Sequence, residues 1–134
     1  MRKKEISFLK IRCLEFWEEG NHLYKEKKYN LSIFNIEQAL QLWIKYLIAK
    51  KVGDWPKTHY FSDLIKNLYE VYENEEIIKF YKEKELFFNN IEDAYFTTRY
   101  FPKQFSKNFA SQIIENAKEF ITLTEKITRE KFSK

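Results

Sequence analysis

The sequence predicts an all-α fold, an antiparallel up-and-down bundle of about five helices, on three observations. Only two glycines and two prolines interrupt 134 residues, which leaves few places for a helix to stop. Apolar residues recur at three- and four-residue spacing along the chain, and no segment sustains period-two alternation. One stretch, 31–51, is apolar over most of its circumference, and a helix of that kind is contacted by neighbours on several sides.

Residues 5–27 are expected to form the first helix, with Ile6, Leu9, Cys13, Phe16 or Trp17, and Tyr24 on one face. Gly20 and Asn21 weaken its middle or mark a bend. The pair Tyr29-Asn30 reads as a turn, with Asn30 as N-cap of the central helix. Two long helices joined so tightly pack antiparallel.

The central helix, 31–51, leaves only a narrow polar stripe, Glu37, Gln41 and Lys45 at i, i+4 and i+8, with Gln38 beside them. Lys50, Lys51, Gly53 and Pro56 stop it. Thr58 then caps a third helix over 59–72. Asn74 opens a fourth stretch over 75–100, with a break near Glu85 and an end before Pro102. Ser106 caps a last helix to about residue 132, apolar on one side only.

A composition of 44% apolar and 33% charged residues is that of a globular chain, and one domain across 1–134 is expected. Aromatic residues at 19% supply core volume and material for an oligomer interface. The single cysteine, Cys13, excludes an intramolecular disulfide framework and points to the cytoplasm. No run of apolar residues is long enough for a membrane span, and the basic start lacks the apolar region of a signal peptide. A net charge of +4 permits phosphate binding without requiring it.

Several chemistries are excluded by residue type and spacing. Gly20 and Gly53 stand alone, so no phosphate-cradling glycine loop is present. One cysteine and two distant histidines, His22 and His59, make no zinc site, and the single Glu19–His22 pair at three-residue spacing is one pair only, where a two-metal carboxylate site needs two. No cofactor and no metal are expected. Cys13, on an apolar helical face, reads as core rather than nucleophile.

The segments FNIEQALQLWIKYLIAKKVGDWPKTH, from Phe34 to His59, and IEDAYFTTRYFP, from Ile91 to Pro102, resemble signatures of the HEPN family. The first has the family's Glu/Gln-Gln-Ala start, a lysine some seven residues on and a glycine-containing loop into Thr-His. The second has an Arg-Tyr-Pro-like element, Arg99-Tyr100-Phe101-Pro102, with one extra residue before the proline. The resemblance spans roughly 5–125. It implies an antiparallel bundle of four to five helices, a homodimer, and one of two roles: a metal-independent ribonuclease, often a toxin of a toxin-antitoxin pair, or a subunit that works with a small nucleotidyltransferase and binds nucleotide or RNA.

The ribonuclease pattern is an arginine followed four to six residues later by histidine. No histidine follows Arg99 or Arg129, and nine residues separate Arg12 from His22. A non-catalytic binding subunit is therefore the expectation. A degenerate ribonuclease and a purely structural dimerisation module are the alternatives. The nucleotide-binding residues implied are Arg99, Tyr100, His59, Thr58 and Lys45, with Glu37, Gln38 and Gln41 as a structural polar stripe. Each has a plainer reading. Arg99 would pair with a carboxylate such as Glu37 or Asp93 instead of a phosphate. Tyr100 would pack rather than stack on a base, His59 would cap the third helix, and Lys45 would neutralise its neighbours at an interface.

Overall fold

The computed structural model describes residues 2–133. Six helices follow one another: α1 (Arg2–Lys25), α2 (Tyr29–Val52), α3 (Phe61–Tyr72), α4 (Glu75–Glu83), α5 (Glu85–Tyr100) and α6 (Lys107–Thr128). The count exceeds five because the stretch expected at 75–100 is two helices. Lys84, at φ −111° and ψ 26°, leaves the helical region between them, close to the break expected at Glu85. No strand occurs among the described residues.

Helix α2 is the axis of the packing. Ile33, Ile36, Leu40, Trp43, Ile44 and Leu47 are wholly buried, and each such side chain contributes about 1.5–3 kcal/mol of hydrophobic stabilisation. Helix α1 returns antiparallel to α2 at very close range. Gly20 makes this approach possible: a Cβ there would stand 2.8 Å from Ile36 Cδ1 and 3.2 Å from the Ser32 carbonyl oxygen. The Ser32 hydroxyl donates to the Gly20 carbonyl at 2.6 Å. Helix α1 runs unbroken through Gly20, which sets the distance between two helices.

Cross-chain hydrogen bonds orient the other helices. Thr98 near the end of α5 reaches the Asn30 carbonyl at the start of α2, so α5 runs antiparallel to α2. Trp43 in α2 donates to Thr124 in α6 at 2.8 Å, and Asn30 accepts from the Phe105 N–H just before α6, so α6 runs parallel to α2. Phe88 is the hub of the far side, with Phe61, Phe80, Tyr81, Phe87 and Phe120 at centroid distances of 4.9–6.3 Å. The aromatic surplus thus fills core volume.

Two helix starts differ from expectation for one reason. Asn30 does not cap α2, which begins at Tyr29 after Lys28 with no side-chain cap. Its amide is used elsewhere: Oδ1 accepts from the Phe105 N–H at 2.9 Å and Nδ2 donates to the Lys103 carbonyl. The turn lies earlier, where Lys27 adopts φ 65°. Helix α3 likewise begins at Phe61 rather than 59. Its first N–H is taken by Glu92 of α5 at 2.7 Å, while Thr58 accepts from the Tyr60 N–H and donates to Asp63. The caps Asn74 and Ser106 are as expected, accepting from the N–H groups of Glu76 and Phe109.

Helix α6 stops at Thr128 because Arg129 takes φ 64° and turns the chain back. Phe132 then lies edge-on to both Trp17 and Trp43, at 5.3 Å and 5.0 Å. Glu130 accepts from the Tyr46 hydroxyl at 3.0 Å. No helix among the described residues is long and apolar enough to cross a membrane.

Candidate functional site

In the polar stripe of α2, Glu37 and Gln41 are buried, while Gln38 and Lys45 are half-buried. Glu37 is only 1% exposed, and a lone carboxylate in such a position would be costly. The glutamines beside it resolve that cost. Gln41 Nε2 donates to Glu37 Oε2 and Gln38 Nε2 donates to Oε1 at 2.9 Å, so both carboxylate oxygens have partners. Burial still pushes the Glu37 carboxyl up to about 7, against the pull of the two amides, with Glu92 reinforcing the rise and Lys45 opposing it.

Three parts of the chain converge here. Helix α2 brings Glu37, Gln41 and Lys45, α5 brings Glu92, and the loop before α3 brings Lys57 and His59. Burial lowers the pKa of the Lys45 ammonium, and the neighbouring Lys57 lowers it further. Burial raises the Glu92 carboxyl, partly offset by its hydrogen bond from the Phe61 N–H and by His59. Thr58 sits at the edge, bonded to Asp63 at 3.0 Å. His59 is exposed, with its ring 4.8 Å from that of Tyr60.

Arg99 and Tyr100 stand in a different place. The antiparallel pairing of α5 and α2 sets Tyr95 against Phe34, stacked at 4.9 Å, and Thr98 against Asn30. Lys45 lies fifteen residues beyond Asn30, about 20 Å along the helix axis. The set Arg99, Tyr100, His59, Thr58 and Lys45 is therefore two groups: Lys45 and His59 around Glu92 and Glu37 with Thr58 alongside, and Arg99 with Tyr100 at the far end of α5.

At that end the Arg99 guanidinium lies over two rings, 5.7 Å from the Tyr95 centroid and 5.1 Å from that of Tyr100. Its Nη1 donates to the Tyr95 hydroxyl at 3.2 Å. The carboxylate pairing with Glu37 or Asp93 is not made: among the described residues no acid lies within ion-pair distance of Arg99. Glu37 is occupied by its glutamines instead. Tyr100, 59% exposed, joins Phe96 and Phe101 in an aromatic group with centroids 4.9 Å and 5.8 Å apart.

Glu92, Tyr95 and Lys57 were missed in the sequence. Tyr95 had a signal, since it precedes Arg99 by four residues and so shares its helical face. Glu92 precedes Arg99 by seven, but its hold on the start of α3 has no local trace. Among the described residues no three acids, histidines or cysteines are grouped to hold a metal ion.

Fold and site define a small all-α domain that presents an exposed arginine among aromatic rings and carries a buried, amide-held carboxyl. A family model described as the HEPN domain matches residues 6–127, and the chain belongs to that family. No curated protein and no solved structure matches it.

Proposed function

We propose that the chain is a non-catalytic HEPN-type binding subunit of the cytoplasm, homodimeric, which holds a phosphate of nucleotide or RNA at Arg99 and associates with a small nucleotidyltransferase. The observation that supports this most directly is the exposed Arg99 guanidinium, positioned by Tyr95 and Tyr100 and free of a carboxylate among the described residues. A planar guanidinium offers a phosphate paired donors at fixed geometry. Tyr100, Phe96 and Phe101 add exposed rings, and a base stacked on such a ring contributes about 1–3 kcal/mol. Membership of the HEPN family fits a ligand related to nucleotides or RNA.

Lys45, His59 and Thr58 are weaker candidates for the phosphate. Glu37, Glu92 and Asp63 share their surroundings, and a second anion would meet those charges. A ribonuclease reading draws on Glu37, whose carboxyl titrates near neutrality as a general base should. Its burial and its two amide partners keep it from a ribose hydroxyl.

Calorimetric titration with ATP and with a short single-stranded RNA tests the reading, on wild type and Arg99→Ala. Binding that weakens about tenfold or more in the variant is expected. No heat from either ligand with wild type overturns the phosphate site and favours a structural dimerisation module. Metal-independent cleavage of the RNA overturns the non-catalytic reading.

A further inference from the structure

Helix α6 ends at Thr128, yet the chain does not leave the bundle there. Arg129 takes φ 64° and its N–H donates to the Glu125 carbonyl at 2.8 Å, a left-handed turn that ends the helix and redirects the chain. Past Arg129 no backbone-to-backbone hydrogen bond holds the segment among the described residues. Side chains fasten it instead. The Glu130 carboxylate accepts from the Tyr46 hydroxyl at 3.0 Å, and the Thr128 hydroxyl accepts from the Glu130 N–H at 3.2 Å. The Glu125 carboxylate accepts from the Phe132 N–H at 2.7 Å. The Phe132 ring closes the set, standing at 84° to the indoles of both Trp17 and Trp43.

Each helix beside the segment is held by other contacts. Helix α1 is tied to α2 by the Ser32–Gly20 and Cys13–Ala39 hydrogen bonds. Helix α6 is tied by the Trp43–Thr124 bond and by the buried Phe120 and Ile121. Phe132 forms an outer layer over these. It is only half-buried, and an open cleft of about 550 Å³ lies between it and α1, walled by Leu14, Asn21 and Lys25. The ring therefore has a way out that displaces no packed side chain. A segment with few buried apolar contacts and no backbone ladder opens at a free energy well below that of the whole fold.

We propose that residues 130–133 are a detachable strap, hinged at Arg129, which opens as a unit while the six helices stay packed and uncovers an aromatic-sized slot floored by Trp17 and Trp43. The occupant of the slot is the strap's own Phe132. Opening turns the edges of two indoles from shelter to solvent, while Trp43 keeps its bond to Thr124. The Tyr46 hydroxyl and the Phe132 ring set the balance between the two states.

Amide hydrogen exchange on the full chain, followed by NMR over a series of low urea concentrations, tests the strap. The N–H groups of Glu130 and Phe132 are expected to exchange about a hundredfold or more faster than those of Phe120 and Ile121. Their rates should not respond to urea, because little surface is exposed on opening. Tyr46→Phe should speed the two strap amides about tenfold, still without a urea response. Phe132→Ala should free both amides and keep the circular dichroism of wild type. In a Trp55→Phe background, where emission comes from Trp17 and Trp43 alone, Phe132→Ala should shift that emission to the red and raise its quenching by acrylamide. Strap amides that exchange with the urea dependence of α6 overturn the strap and make the segment part of the global fold. A Phe132→Ala chain that loses its helicity does the same. Strap amides as protected in Phe132→Ala as in wild type overturn the role of the ring, and freed amides with unchanged emission overturn the slot.

Discussion

The indole N–H of Trp43 donates to the Thr124 hydroxyl at 2.8 Å, joining helices α2 and α6 where both residues are wholly shielded from water. Thr124 passes its own proton back to the carbonyl oxygens of Phe120 and Ile121. One hydroxyl therefore satisfies a donor from another helix and anchors to its own. Thr124→Val keeps the shape and leaves the indole donor unpaired, a loss of about 1–3 kcal/mol. Urea unfolding followed by tryptophan fluorescence should show a lower midpoint with an unchanged slope; an unchanged midpoint would mean that water replaces the hydroxyl.

The closeness of α1 and α2 at Gly20 gives a second expectation. Alanine is favoured over glycine in a helix by about 1 kcal/mol, but the added methyl would stand 2.8 Å from Ile36 Cδ1 and 3.0 Å from its Cγ1. Overpacking of this kind costs about 1–3 kcal/mol, and the branched Ile36 side chain has little rotamer freedom to give way. Gly20→Ala should lower the melting temperature, and the same change made together with Ile36→Val should cost less. Equal costs in both backgrounds would place the clash on the Ser32 backbone instead.

Glu37 makes stability depend on pH. Its carboxyl is raised to about 7 in the folded protein from an ordinary 4.5, so the folded state holds its proton more tightly than the unfolded chain. Stability from this group is complete below pH 4.5 and is lost as pH rises through 7, by something on the order of 3 kcal/mol. Glu92, raised by burial as well, acts in the same direction. Relative to wild type, Glu37→Gln should gain stability progressively between pH 5 and 8. A constant difference across that range would show that the carboxyl is not titrating there.

Cys13 reports on unfolding. It is wholly buried, its thiol donates to the Ala39 carbonyl at 3.2 Å, and burial pushes its pKa well above the usual thiol range. The thiolate is the reactive form. Modification by a thiol reagent should be slower than in urea by about a thousandfold or more, since it waits on an opening that costs several kcal/mol. Rapid labelling in native buffer would place the α1–α2 contact among locally unstable parts.

What could be read from sequence was what local chemistry decides. Asn74 and Ser106 cap because the N–H groups they serve lie two and three residues ahead. The break expected near Glu85 lies one residue earlier, at Lys84. The starts of α2 and α3 were misplaced because their polar groups are satisfied from afar: the Asn30 amide by residues 103 and 105, and the Phe61 N–H by Glu92. The site shows the same division. The Glu37, Gln41 and Lys45 stripe was visible as helical spacing, but its burial under α5 and the loop before α3 was not. The separation of Arg99 from Lys45 depends on which ends of α2 and α5 meet, and no pattern within either helix encodes that.

The Asn30 tie also orders events in time. Its side chain and carbonyl hold three residues found 68–75 positions later, Thr98, Lys103 and Phe105. The α1–α2 hairpin, whose partners are close in sequence, closes without them. Long loops are entropically expensive to close before distant contacts reward them. By sequence separation the α5–α6 connection is expected to dock onto a hairpin already formed, with the start of α2 as its latch.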